Sequence, residues 1–245
     1  MTRRRVQVSV LMAVLLVGLM AACVGCGAIS VKTGDLRTET TTVALEAAKT
    51  ASVEIRQGAG TLSVSGGASK LMDATFVYNV DSWKPEVTYN VTGDQGSLAV
   101  KQPSKLNIAS LAGLRYDWDL RLGDGVPIRL DVGMGAGKST LTLGTLTLTA
   151  LSVETGAGDV SVDLAGYTGG SFDGTIKGGA GRLTVLLPKE VGVSVRTGMA
   201  VGKTNILGLK KQGEDYVNDA FGKAKETVRL TVQAAVGEVD LEVAP

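Results

Sequence analysis

One short unit recurs along the chain and constrains its fold more than any other feature. In the clearest copy, LSVET precedes the tripeptide Gly156-Ala157-Gly158 and VSVDL follows it. Apolar and polar residues alternate on both sides, which is typical of short β-strands that offer one face to a core. Three copies begin at Gly135, Gly156 and Gly179, in steps of 21 and 23 residues, and a weaker copy follows 21 residues later at Ala200. A period near 22 residues predicts stacked repeats, which bury a core that no single unit can.

The tripeptide is interpreted as a tight turn between two strands. Glycine adopts backbone conformations that cost other residues energy, and the small alanine lets neighbouring turns stack closely. We therefore expect a bulky residue in place of Ala157 to destabilise the stack by overpacking. The predicted structural turns are Gly58, Ala59, Gly60, Gly135, Ala136, Gly137, Gly156, Ala157, Gly158, Gly179, Ala180 and Gly181, with weaker copies at Ala200-Val201-Gly202 and Ala235-Val236-Gly237.

The predicted fold class is all-β: stacked β-hairpin repeats of about 22 residues, without long helices after the N-terminal signal segment. A β-solenoid and a rack of antiparallel strands both satisfy the pattern. Residues 26–49 are predicted to be a spacer and residues 50–245 the β-repeat domain. An aromatic-rich insertion at about 71–126 is expected to cap or cross the stack, because a stack needs atypical units to cover its open ends.

The first 25 residues resemble an export signal, with three arginines, a long apolar run and small residues ahead of two cysteines. The position of the arginines predicts that everything after the apolar run is translocated, so the protein is expected to be extracytoplasmic and membrane-anchored. Without Arg3, Arg4 and Arg5 the chain has 22 basic and 24 acidic residues, a balance that disfavours nucleic-acid binding.

The two cysteines are interpreted as competing lipidation sites. Cys23 follows Met20-Ala21-Ala22, as in a bacterial lipobox, and is the preferred start of the mature protein. Cys26 is the alternative, since its acylation would leave no free thiol in an oxidising compartment. An uncleaved helix over residues 10–29, which lack charge and hydroxyl groups, is the second alternative.

Several catalytic chemistries conflict with the residues present. The chain has no histidine, so Ser-His-Asp catalysis and the common zinc sites are excluded. The segment Gly133–Thr140 looks like a phosphate-binding loop, but Val132 stands where the motif needs glycine, and an alternating strand follows Lys138 where it needs a helix. No nucleotide, cofactor or metal is therefore predicted.

Other polar and aromatic residues admit a functional and a structural interpretation. Carboxylates on a strand and near turns could cleave sugars, and oxygen ligands could hold Ca²⁺, but solvated strand faces and turns explain both sets. Clustered aromatics could form a binding platform, although large aromatic side chains are mostly buried. The carboxylates are Asp117, Asp119, Asp159, Asp163 and Asp173, the oxygen ligands Asp215, Asn218 and Asp219, and the aromatics Trp83, Tyr89, Tyr116, Trp118, Tyr216 and Phe221.

Five segments together resemble the toast-rack family of bacterial lipoproteins and membrane proteins. They are VEIRQGAGTLSVSGGA, VYNVDSWKPEV, YDWDLRL, LSVETGAGDVSVDL and YVNDAFG. The chain is more distantly similar to the C-terminal domain of the cell-wall-active antibiotics response proteins and to repeat adhesins. The resemblance implies a toast-rack-like, all-β stacked fold at the cell surface, and it carries over no catalytic residues.

The expected function is that of a non-catalytic, adhesin-like module of the cell envelope, anchored through lipid and binding envelope proteins or glycans. Binding is expected to map to residues 76–91 or to the loop 210–222. The alternatives are an accessory sensor of envelope stress and, third, a carbohydrate-active enzyme that works with carboxylates.

Overall fold

The computed structural model describes residues 33–103 and 113–245, and the predicted signal segment with Cys23 and Cys26 lies outside them. The described chain contains no α-helix; a 3-10 turn covers Asp81–Trp83. Thirteen strands form one sheet, which confirms the all-β fold class. The strands are β1 (Arg37–Val43), β2 (Thr50–Ala68), β3 (Met72–Tyr78), β4 (Glu86–Thr92), β5 (Gln95–Lys101), β6 (Tyr116–Gly123), β7 (Pro127–Thr142), β8 (Thr147–Asp163), β9 (Phe172–Leu187), β10 (Gly192–Leu207), β11 (Lys210–Gln212), β12 (Asp215–Val217) and β13 (Thr227–Val243).

Six long strands form the repeating stack, in the order β2, β7, β8, β9, β13 and β10, and every neighbouring pair is parallel. One column across the stack shows the register: Ile55, Val132, Val153, Ile176 and Val232 pair in turn, and each is fully buried. Of the two arrangements compatible with the sequence, the parallel register selects the solenoid.

Each long strand is bent back on itself at its centre. A straight strand of 16 residues would be about 50 Å long. Yet β7 ends at Thr142, β8 begins at Thr147, and Thr147 pairs with Pro127 at the start of β7. Since the connecting residues span at most about 18 Å, the end of β7 must lie close to its start. Each long strand is therefore one V-shaped rung with two legs.

The core lies between the two legs of the rungs. In β7 the residues buried before the bend have even numbers, such as Leu130 and Val132, whereas those after it have odd numbers, such as Ser139 and Leu141. The residues that point inward therefore change from even to odd numbers at the bend. The first and second legs turn their apolar faces toward each other, as in two packed sheets.

The tripeptides lie at these bends, inside continuous strands. The sequence pattern suggested two strands of a hairpin joined by a turn. In the structure the two legs belong to one strand, and each leg takes its hydrogen-bonded neighbours from other rungs. The actual reversals between rungs are short, as at Leu143–Leu146, where the Leu146 N–H donates to the Leu143 carbonyl over 3.1 Å.

Five shorter strands cover one end of the stack, with β5 and β6 parallel to β2 and the other three antiparallel to their neighbours. On the outer side of β2, β5 pairs with the first leg and β6 with the second. The strand β4 then pairs with β5, while β3 and β1 extend the sheet beyond β6. β1 lies within residues 26–49, so part of the expected spacer is a strand of the sheet.

Aromatic side chains from the insertion fill this covered end. Trp83, Tyr116 and Trp118 are each at most 4% exposed. The Tyr116 ring packs edge-on against both tryptophans, at centroid distances of 5.3 and 5.5 Å. Its hydroxyl donates to the Trp83 carbonyl over 2.6 Å. These three of the six predicted aromatics serve as core, as in their structural interpretation, whereas Tyr89, Tyr216 and Phe221 are half-buried.

At the other end of the stack, the order of the strands differs from their order in the sequence. β13, the last strand of the chain, lies between β9 and β10. The short strands β11 and β12, within the expected loop 210–222, pair with each other, and β12 pairs with the first leg of β10 at Ser194 and Val195.

Candidate binding groove and the positions of the predicted residues

The final glycines of the tripeptides form a column at the bends. Gly158 has a φ of 124°, and a Cβ atom there would lie 1.9 Å from the Gly137 carbonyl oxygen of the preceding rung. The same two constraints act in every rung of the stack. The column consists of Gly60, Gly137, Gly158, Gly181, Gly237 and Gly202, with φ from 124° to 139°. Its role is structural: it permits a close approach of backbones at a sharp bend.

A groove of about 870 Å³ runs across the outer face of the first legs, from β2 to β10. Its floor is made of small and hydroxylated residues on neighbouring strands, including Ala150, Ser152, Thr175 and Thr231. Charged side chains stand around this floor. The groove is therefore polar, and it suits a ligand that forms hydrogen bonds.

At the β2 end, ion pairs hold the charged side chains in place. The Arg56 guanidinium donates to both carboxylate oxygens of Asp131 on β7, over 3.0 and 2.8 Å. Gly133 gives it room, since a Cβ atom there would lie 2.9 Å from the Arg56 Cδ. Glu54 pairs with Arg56 at 3.4 Å and with Lys101 at 2.7 Å. The hydrogen bonds and charge of Arg56 lower the pKa of Asp131.

A second set of ion pairs closes the β10 end. Arg196 contacts Asp215 of β12 at 2.9 Å and Glu214 at 3.4 Å. The Ser194 hydroxyl donates to Asp215 over 3.1 Å. Asp215 is thus part of the groove wall. From the sequence, it was interpreted only as a turn residue or a calcium ligand.

Three charged residues in the middle of the groove lack such partners. Arg129, Asp173 and Arg229 lie in one row on β7, β9 and β13, and no ion pair or hydrogen bond joins their side chains to other described residues. Arg129 and Arg229 therefore present two guanidinium groups without ion-pair partners, in one row with Asp173. The charge of the groove as a whole is balanced, since Lys177 pairs with Glu154 and Arg196 faces two carboxylates.

Sequence reasoning did not single out Arg129 or Arg229. A signal was present, because Arg129, Asp173 and Arg229 each precede the first residue of their tripeptide by six positions. That shared offset places them in one row only if the tripeptides align in a parallel register. The antiparallel alternative would have separated them.

The predicted carboxylate pair Asp117 and Asp119 lies outside the groove, on the outer face of β6. Asp117 pairs with Arg115, and Asp119 is exposed. Asp159 is likewise exposed, and Asp163 accepts a hydrogen bond from the Ala165 N–H over 2.7 Å. The structural interpretation explains these four residues as parts of solvated faces and a turn.

The predicted oxygen ligands do not converge on one point. Asp215 bonds to Arg196, and Asp219 to Lys210 over 2.6 Å. Asn218 is 4% exposed; its side-chain oxygen accepts from the Val193 N–H over 2.9 Å and its amide donates to the Val191 carbonyl over 2.8 Å. Asn218 therefore clamps the start of β10, a role that the sequence did not reveal.

The segment Gly133–Thr140 belongs to β7, so a strand stands where a phosphate-binding loop needs a helix. Within residues 33–103 and 113–245 no three potential metal ligands are grouped closely enough to hold an ion. The same residues include no helix with the length and apolarity to cross a membrane.

Comparison with known protein families matches two overlapping parts of the chain. Residues 32–186 match the N-terminal domain of toast_rack. Residues 137–241 match the C-terminal domain of the cell wall-active antibiotics response protein LiaF. No curated protein matches the chain significantly.

Solved structures include a near relative. The crystal structure of a candidate cell adhesion protein from Clostridium sporogenes is 31% identical, with a TM-score of 0.83, over 86% of this chain and 100% of that one. Candidate adhesins from Bacteroides fragilis and Parabacteroides distasonis are 12% identical, with TM-scores of 0.28 and 0.26, too low to carry an inference. They cover 84% and 86% of this chain, and 97% and 98% of their own. Since one family model spans residues 32–186 and the Clostridium sporogenes structure matches over its full length, the chain belongs to the toast-rack family.

Proposed function

We propose that the protein is a non-catalytic binding module of the cell envelope, and that its groove takes a glycan that carries carboxylate groups. The observation that carries the proposal is the pair of guanidinium groups, Arg129 and Arg229, which stand without ion-pair partners over a hydroxyl floor. The similarity to a candidate cell adhesion protein supports a binding role at a cell surface.

The chemistry of the groove selects this ligand class. Arginine binds carboxylates through two parallel hydrogen bonds, and unpaired arginines keep that capacity free. The hydroxyl groups of Ser152, Thr175 and Thr231 both donate and accept hydrogen bonds, as sugar hydroxyls require of a partner. Long apolar surfaces, which a lipid would need, are absent from the described floor and walls.

The pKa of Asp131 argues against a role for this carboxylate as the acid of a glycosidase. Hydrolysis of a glycosidic bond needs a carboxylic acid whose pKa is raised, so that it can donate a proton. The pKa of Asp131 is instead lowered, because Arg56 donates two hydrogen bonds to it. Asp131 is therefore an ionised wall residue that holds Arg56 in position.

The sequence supports display outside the cytoplasm. The tri-arginine start, the apolar run and the small residues before Cys23 resemble the signal of an exported lipoprotein, with Cys26 as the alternative acylation site. Replacing both cysteines by alanine should release the protein from membranes or block its processing. Single variants labelled with a palmitate analogue identify the acylated cysteine, and unchanged partitioning of the double variant would contradict the lipid anchor.

The ligand proposal is tested with oligogalacturonate and its methyl ester, which share a backbone and differ in charge. Calorimetry should show binding of the acid form, weakened at least ten-fold by Arg129→Ala or Arg229→Ala, since the charge-assisted hydrogen bonds to one carboxylate are lost. Arg121→Ala is the matched control, because Arg121 is an exposed arginine on β6 outside the groove. Equal binding of the ester, or release of reducing ends, would contradict the proposal.

A second candidate function follows from the match of residues 137–241 to an antibiotics response protein. In this alternative the module is an accessory sensor that reports envelope stress. The discriminating measurement is transcription of the gene after treatment with cell-wall-active antibiotics. Strong induction, together with failure of the glycan test, would favour the sensor.

A further inference from the structure

The stack ends in two rungs, β2 and β10, and each has a first and a second leg. Additional strands cover the outer edge of three of these four legs, and the outer edge of the fourth is open. At the β2 end, β5 covers the first leg and β6 the second. At the β10 end, β12 covers part of the first leg, at Ser194 and Val195. Within the described residues, the second leg of β10 (Lys203–Leu207) pairs only with β13, so its other edge presents free backbone N–H and C=O groups.

Apolar groups are exposed at this edge. Ile206, on the inward face, is only partly buried, whereas its neighbour Leu241 on β13 is 1% exposed. Leu207 and Val201 are 60% and 63% exposed. The end of the core is thus uncovered here. One added strand would bury the side of Ile206 and satisfy the backbone groups.

The charges on the outer face of the second legs specify what that strand should carry. One row alternates in sign across five neighbouring strands: Lys138, Asp159, Arg182, Glu238 and Lys203. Arg182 and Glu238 are in contact at 2.7 Å. The row ends on Lys203 at the open edge, where no side-chain partner stands among the described residues. On an added strand, an anionic side chain opposite Lys203 would continue the alternation of charge.

We propose that the second leg of β10 accepts an extended segment of a protein partner as an added strand, with a carboxylate opposite Lys203 and an apolar residue beside Ile206. Strand addition uses the backbone for affinity and alternate side chains for specificity. This surface differs from the groove, so the inference does not depend on the glycan ligand.

A second copy of the chain fits less well than such a partner. Residues 199–209 contain no aspartate or glutamate, so a second β10 edge would put no carboxylate directly opposite Lys203. The strand β1, which ends the sheet beyond the second leg of β2, has Glu39, but Tyr78 and Lys84 already bond to it. The partner is therefore expected to be a different protein with alternating acidic and apolar residues.

A synthetic peptide of residues 236–243, VGEVDLEV, is the probe, because this sequence already pairs with the opposite side of β10. Calorimetry and hydrogen exchange on the full chain should show binding and protection of amides within residues 203–207. A peptide with lysines in place of the three acids, and one N-methylated at alternate residues, should bind weakly.

The decisive variant is Lys203→Glu, which should weaken binding of the acidic peptide about three- to ten-fold and favour the lysine peptide. Lys211→Glu makes the same charge change on β11, which pairs with β12 and not with this edge, and should leave binding unchanged. Thermal melting checks that both variants fold. Binding of the acidic peptide insensitive to Lys203→Glu, or protection outside 203–207, would overturn the proposal. Concentration-dependent protection of the edge without peptide would also overturn it, in favour of a second copy.

Discussion

The bend is built differently in the early rungs and in the last two rungs of the stack. In β7, β8 and β9 the tripeptide is Gly-Ala-Gly, whereas in β13 and β10 it is Ala-Val-Gly. Only the final glycine is common to all six rungs. Where the first glycine is kept, as at Gly156, a Cβ atom would lie 2.4 Å from the carbonyl oxygen of the preceding rung.

This comparison separates two demands on the bend. The final glycine is required both by its positive φ and by the close carbonyl oxygen, so no rung replaces it. The first glycine is required only by the close approach, and the last two rungs relax enough to hold alanine. The middle residue faces outward in β8, and Val236 and Val201 show that the bend accepts a β-branched side chain there.

The largest effect is expected for Gly158→Ala. It combines a strained φ with a Cβ atom 1.9 Å from a carbonyl oxygen, and should lower the free energy of unfolding by about 3 to 5 kcal/mol. Urea unfolding followed by circular dichroism measures it. Gly166→Ala is the matched control, because Gly166 also has a positive φ, 71°, but open space around it. Equal losses in the two variants would mean that the close approach does not matter.

A smaller effect is expected for Gly156→Ala, at the position where the last two rungs already have alanine. Its cost is steric alone, about 1 to 3 kcal/mol. The reverse change, Ala235→Gly, should be nearly neutral by the same unfolding measurement. If Gly156→Ala is also neutral, the early rungs relax as readily as the last two, and this part of the comparison fails.

The early rungs also have an ion pair between neighbouring rungs before the bend, Arg56 with Asp131, whereas Arg196 of β10 pairs with Asp215 of β12 outside the stack. Arg56 lowers the pKa of Asp131, so the pair stabilises the folded state above the unfolded pKa of about 3.9 and this stability is lost as the pH falls below it. The pair is about 40% exposed, so Arg56→Gln should cost no more than about 1 kcal/mol at pH 7. Unfolding at pH 7 and pH 2.5 measures the difference, which should shrink in acid. Gln233→Ala, in the same row of β13, should show no such pH dependence.

The smallest effect is expected for Ala157→Val. The sequence suggested that a bulky residue at this position would overpack a tight turn, but Ala157 is exposed and valine occupies the equivalent position in β13 and β10. The change should alter stability by less than about 0.5 kcal/mol. A loss above 1 kcal/mol in urea unfolding would restore the overpacking interpretation.

Much of the fold could be predicted from the local sequence pattern. The alternation around Gly156 predicted strands and their inward residues, and the spacing of the tripeptides predicted stacking. The groove was harder to predict from the sequence. Arg129 and Arg229 are 100 residues apart, and only the register of β7, β8, β9 and β13 brings them into one row. Asn218 was missed because its clamp bonds backbone groups 25 to 30 residues away.

The sequence by itself determined that the chain forms alternating strands with bends at fixed glycines, because side-chain alternation and glycine sterics act within a few residues. Only the tertiary structure decided which legs pair and in what order. Backbone hydrogen bonds are the same for any strand, so they cannot place β13 between β9 and β10. Side chains across strands can: in sequence order Arg182 would neighbour Lys203, whereas the insertion puts Glu238 between these two cations.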